Sequence, residues 1–156
     1  GLQSQFPGLR VHYTLGVLPT GLTSSQISVL ESARRYNVRV DLVNIMAMDY
    51  YQNVQDMGGA AIQAAQATRA QLDNLGFTST SIGITPMIGV NDSREVFTLE
   101  DAQQLATWAG NNGIALLSFW SVGRDNGDCP NGTVSPNCSG IAQSRFQFSS
   151  IFRGFP

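Results

Sequence analysis

The sequence has no lysine: its nine basic residues are all arginine, and it has a single histidine, His12. Without lysine there is neither a Walker-type phosphate clamp nor a Schiff-base nucleophile. Two cysteines, Cys129 and Cys138, lie far from His12 in sequence, so a zinc site of the usual His/Cys composition has too few ligands. Charged residues are only 13% of the chain, about half the usual ~25%, which leaves Gln, Asn, Ser and Thr to supply the wet surface. A net charge of -2 with scattered arginines offers no stripe for a phosphate backbone, so nucleic acid is not an expected partner. No run approaches the ~18 apolar residues of a membrane span, and no basic-then-apolar leader opens the chain. G-x-G-x-x-G and a nucleophile elbow are also missing, which removes the support for dinucleotide binding and for a Ser-His-Asp triad. No cofactor is expected.

What is present suits one domain or a piece of one: 156 residues, 42% of them hydrophobic, enough for a single core. The cysteines sit in NGDCPNGTVSPNCSG, a loop dense in Gly, Pro, Asn and Ser, which reads as a small surface disulfide, with two free thiols as the alternative. A bridge there implies an oxidising compartment and a secreted, extracellular protein, and the missing leader then implies a mature or trimmed product. Sequons begin at Asn91, Asn131 and Asn137.

Four segments read as buried strands, each followed by a helical pattern. LRVHYTLGVLP, from Leu9 to Pro19, precedes the helix SSQISVLESARRY, with Ser24 or Ser25 as cap and Ile27, Leu30 and Ala33 on one stripe. VRVDLVNIMAMDYY precedes GAAIQAAQATRAQLDNLG, an alanine-rich helix that should stop at Gly76. SIGITPMIGVND precedes TLEDAQQLATWAGNNG, where Thr98 and Asp101 have capping-box spacing and Leu99, Ala102, Leu105, Ala106 and Ala109 face one way. IALLSFWSVG leads through the cysteine loop to a last helix near Ser139 to Phe152. Near-continuous apolar strands predict a parallel sheet covered on both faces. Four such βα units fit either a small doubly wound sheet or half of an eight-unit barrel, and the pattern does not choose between them.

Polar and acidic residues gather after the strands: Asp49 and Tyr50, then Asn91 and Asp92, then Arg124 and Asp125. The carboxyl ends of parallel strands are where α/β folds bind ligands, although Asp and Asn favour loops and caps anywhere. Trp120 is either core or a platform for a sugar ring. Met46 and Met48 share a strand face, and His12 is expected to be hydrogen-bonded within or below the sheet.

Taken in order, VNIMAMDYY, SIGITPMIGVND and LLSFWSVGRD resemble the sixth, seventh and eighth strands of a glycoside hydrolase family 18 chitinase, of the bacterial type also found in some fungi. LRVHYTLGVLPTGL is similar to the fifth strand. The resemblance implies an α/β fold that is the C-terminal half, strands five to eight, of a (β/α)8 barrel spanning residues 1–156. It also implies substrate-assisted hydrolysis of β-1,4-linked N-acetylglucosamine polymers, in which the substrate's acetamido oxygen is the nucleophile. The family's acid ends a D-x-x-D-x-D-x-E motif, and this chain has no such motif. The expected partners are therefore chitin oligomers and either the N-terminal half of the barrel or a second copy. A non-catalytic chitin-binding or structural half-barrel is the alternative.

By the same resemblance, Met46 and Asp49 wall the acetamido pocket, with Asp49 supporting the missing acid. Met48 stands where the family usually has a tyrosine; either Tyr50 supplies that hydroxyl from a shifted position or this subgroup does without it. Trp120 forms the floor of the central sugar subsite, followed by a cis peptide to Ser121. Asn91, Asp92 and Arg124 border the cleft.

Overall fold

Each apolar run becomes a strand shorter than the run itself. The structure, a computed structural model, describes residues 1–156. A short helix α1 (Leu2–Gln5) precedes β1 (His12–Gly16), α2 (Ser24–Arg35), β2 (Leu42–Ala47), α3 (Met57–Asn74) and β3 (Ser81–Pro86). A hairpin follows, β4 (Gly89–Val90) and β5 (Val96–Phe97), then α4 (Leu99–Asn111), β6 (Leu116–Leu117) and α5 (Gln147–Phe152). The main sheet is parallel with order β1-β2-β3-β6, so neighbours in space follow chain order. Thr14 lies opposite Asn44, Asn44 opposite Gly83, and Gly83 opposite Leu116.

Alternation along these strands sorts the side chains. Leu15, Val43, Ile45, Ile82 and Ile84 join Leu30 and Ala33 of α2, Ala61, Ala64 and Leu72 of α3, and Ala102 and Leu105 of α4 in one core cluster. Fully burying one such Leu or Ile is worth roughly 1.5–3 kcal/mol. The alternate set, which includes Thr14, Asn44, Met46, Gly83, Thr85 and Leu116, faces the other way. A Cβ on Gly83 would lie 3.0–3.2 Å from Leu116, Asn44 and Leu42, which places those three side chains together on that second face. The expectation of a sheet covered on both faces is therefore corrected: helices cover one face, and the other is open. The apolar runs read as continuous because the open face, too, carries Leu42, Met46 and Leu116 and the small Gly83 between its polar residues.

The helix ends follow local chemistry. Thr98 and Asp101 form the expected capping box, with the Thr98 hydroxyl accepting from Asp101 N–H at 3.1 Å and the Asp101 carboxylate accepting from Thr98 N–H at 2.7 Å. The other Asp101 oxygen accepts from Gly58 N–H at 2.8 Å and so joins α4 to the first turn of α3. A Cβ on Gly58 would meet the Asp101 Cα at 2.9 Å, so this close approach requires glycine. Gly76, at φ +83°, ends α3 as expected. The cap of α2 is Thr23, not Ser24 or Ser25, and its side chain bonds no helix N–H. The last helix is shorter than expected and begins at Gln147, because Asp125 accepts from Phe148 N–H at 3.1 Å and Ser149 N–H at 2.8 Å and fixes its first turn there. Cys129 and Cys138 are disulfide-bonded, with 6.0 Å between their Cα atoms.

Candidate functional site

The open face carries a polar row across three strands. Thr85 Oγ1 donates to Asn44 Oδ1 at 2.9 Å and lies 2.6 Å from Ser118 Oγ. Thr85 has one hydroxyl proton, so once it serves Asn44 the short contact requires Ser118 to donate to Thr85. Met46 is exposed beside this row. His12 is exposed at the start of β1 and makes no side-chain hydrogen bond, contrary to the expectation of one within or below the sheet.

Trp120 lies at the carboxyl end of the row. Its backbone continues the parallel ladder, donating to Pro86 O at 2.8 Å and accepting from Ile88 N–H at 3.0 Å, while its side chain is 59% exposed. Of the two readings open at the sequence, core or platform, the core is excluded in this chain. The peptide from Trp120 to Ser121 is cis.

The turn after β2 holds Met48, Asp49 and Tyr50. Asp49 is half-buried: its N–H donates to Asn91 Oδ1 at 3.2 Å, and its Oδ1 accepts from Ser93 N–H at 3.1 Å. Asn91 is buried and donates from Nδ2 to Met87 O and Gly89 O, at 2.8 and 3.0 Å, so its amide braces Asp49. Met48 is half-buried and Asp92 is exposed. Tyr50 is buried within the core cluster, and its hydroxyl has no hydrogen-bond partner. Burial, with the charge of Glu95 second, pushes its phenol well above the ordinary range. The shifted-hydroxyl reading of Tyr50 is corrected accordingly: the hydroxyl lies in the core and not on the open face.

Arg124 is 1% exposed, and its guanidinium donates to the carbonyls of Ile88 (3.0 Å), Val90 (2.7 Å) and Ser135. It therefore ties the hairpin to the cysteine loop and presents no surface to a ligand. Burial lowers its pKa, against the opposing pull of Asp92 and Asp49.

Sequence reasoning missed Glu95. It is 4% exposed and accepts four hydrogen bonds, from Tyr50 N–H, Gln52 N–H, Val54 N–H and the Ser93 hydroxyl, at 2.9, 3.0, 3.1 and 2.8 Å. Burial alone would raise its carboxyl, but Val54 N–H, the Ser93 hydroxyl and the other two N–H groups outweigh it, so the group ionises below the ordinary glutamate range. Asp49, Tyr51 and Asn53 all have positive φ, between 52° and 56°. Each such non-glycine residue costs on the order of 1–3 kcal/mol and persists only where the surroundings enforce it. The alternation turns every second N–H, those of Tyr50, Gln52 and Val54, toward one anion.

A cavity of about 450 Å³ lies at the opposite end of β3, beside Arg69, Thr80 and Trp108. Arg69 is already engaged there by Phe77 O, Thr80 O and Asp73, and the cavity is remote from the strand ends that hold Trp120 and Asp49.

No family model matches the chain. Over 98% of its length it is 33% identical to a probable bifunctional chitinase/lysozyme of Escherichia coli (strain K12), covering 19% of that protein. Over 79% of its length it is 33% identical to endochitinase 11 of Metarhizium anisopliae, covering 27% of it. The catalytic domain of a hyperthermophilic chitinase from Pyrococcus furiosus matches 99% of the chain at TM-score 0.90 and 40% identity, with 53% of that domain covered. Active domain 2 of a thermostable chitinase from the same organism, in catalytic-site mutants complexed with chito-oligosaccharides, matches at TM-score 0.89 and 39% identity, with 52% covered. The chain thus spans about half of the solved catalytic domains and a smaller share of the curated relatives.

Proposed function

We propose that this chain, a homologue of chitinases, is the C-terminal half of a glycoside hydrolase family 18 barrel that cleaves β-1,4-linked N-acetylglucosamine polymers by substrate-assisted retention. It supplies sugar-binding wall and floor, while a polypeptide carrying the other four strands supplies the acid. The observation that carries this reading is Trp120, a large aromatic side chain left exposed at the carboxyl end of a sheet whose polar row, Asn44, Thr85 and Ser118, offers donors and acceptors to sugar hydroxyls. Asp49, beside the same strand ends, acts as the electrostatic neighbour of that acid. Closely spaced carboxylates cannot all ionise freely, so the acid keeps its proton near neutrality. The disulfide fits a secreted, extracellular protein.

The test is titration with chitin oligomers, together with hydrolysis of a chromogenic chitotriose-type substrate, by the mass-verified chain alone and after mixing with a polypeptide that carries the acidic motif. The expected result is turnover in the mixture only, because proton donation to the leaving oxygen has no candidate in this chain. Turnover by the chain alone would overturn the division of roles. Binding without turnover in the mixture would leave a non-catalytic sugar-binding half-barrel.

A further inference from the structure

We infer that Glu95 is a positioning residue for the sugar site: it holds the turn after β2 in the one conformation that directs Asp49 to the cleft. The inference rests on the chitinase reading for what the cleft binds, but its structural half stands on geometry alone. Both oxygens of Glu95 are engaged, Oε1 by Gln52 and Val54 N–H and Oε2 by Tyr50 N–H and the Ser93 hydroxyl. Asp49, one residue before this cradle, is gripped by Asn91 and by Ser93 N–H from the same hairpin turn. A five-residue segment, 91–95, therefore fixes the turn on both sides of the Asp49 peptide. The three left-handed residues are unfavourable by themselves, so without the carboxylate the turn has every reason to relax. Tyr51, exposed at its tip, would move with it.

The side chain cannot be replaced by its amide without loss. Glu95→Gln keeps an acceptor for one pair of donors and turns an NH2 on the other, while Glu95→Ala removes both. Leu72→Ala, a truncation in the last turns of α3 at the far end of the sheet, controls for general destabilisation.

The experiment has two arms. Amide hydrogen exchange on the chain itself should show Tyr50, Gln52 and Val54 exchanging at least about tenfold faster in Glu95→Ala, less so in Glu95→Gln, and unchanged in Leu72→Ala. Unaltered exchange at those amides in Glu95→Ala would overturn the inference whatever the chain binds. In the second arm, the complemented enzyme is assayed on chito-oligosaccharide below the melting range of every variant. Glu95→Ala should lower kcat about tenfold or more and change its pH profile, with Glu95→Gln intermediate and Leu72→Ala at the parent's values. Loose amides with parental kcat and pH profile would reduce Glu95 to a purely structural role and overturn the positioning claim. If the parent complex itself has no turnover, it is the chitinase reading that fails, and the exchange arm still decides whether Glu95 holds the turn.

Discussion

At the scale of single residues, exposure separates side chains that meet a ligand from those that shape what meets it. Trp120 is mostly exposed, so Trp120→Ala should weaken binding of chito-oligosaccharides to the complemented barrel by more than about 1 kcal/mol, as loss of an aromatic anchor does. Its melting temperature should change far less than the roughly 3–5 kcal/mol of a buried Trp→Ala would imply. Titration beside a thermal melt separates the two, and parental affinity in the folded variant would exclude a platform. Glu95 should also appear in the pH dependence of stability. Its folded pKa is depressed, so its contribution is complete above the unfolded glutamate value of ~4.3 and is lost as pH falls through the lower folded value. Denaturant melts of Glu95→Gln should lack that part of the acid limb and be weaker than the parent at neutral pH. Trp120 and Asp49 were legible in the sequence because their neighbours have a recognisable order. Glu95 was not, because an acid in NDSREVF reads as a solvated loop residue, and the N–H groups that converge on it come from more than forty positions earlier.

At the scale of elements, the sequence was most readable where the determinants are local. The stripe on α4 and its capping box need only i, i+3 and i, i+4 spacing, and both are present. Strand ends were overestimated because hydrophobicity continues past the last paired residue: β6 pairs in register at two residues only, although the hydrogen-bond ladder runs on to Trp120. Contacts between elements leave no local trace, and Gly58 illustrates the difference. Helix propensity predicts that Gly58→Ala stabilises α3 by about 1 kcal/mol. The structure predicts the opposite sign, because the new methyl would press on the Asp101 backbone and part the two helix starts. A lower melting temperature for Gly58→Ala than for the parent checks this, and a higher one would show that α3 and α4 adjust freely.

At the scale of the whole molecule, strand order and the one-sided core set this sheet apart from a doubly wound one. A doubly wound sheet places helices on both faces and reverses direction at a switch point. Here the order β1-β2-β3-β6 follows the chain, and the core lies on one side. Hydropathy could not distinguish these, since a strand facing helices on one side and small or polar residues on the other still averages as apolar. The cysteine loop and the hairpin then close over Arg124 and Asp125, each 1% exposed. For a protease this burial has a particular meaning. Trypsin cuts after lysine or arginine, and a chain without lysine offers it nine arginines, of which this one is sealed beneath three carbonyls. Cleavage between Arg124 and Asp125 should therefore be absent from the native digest and emerge on reduction of the Cys129–Cys138 bridge, giving mass spectrometry a built-in gauge of whether the cysteine loop is closed over Arg124.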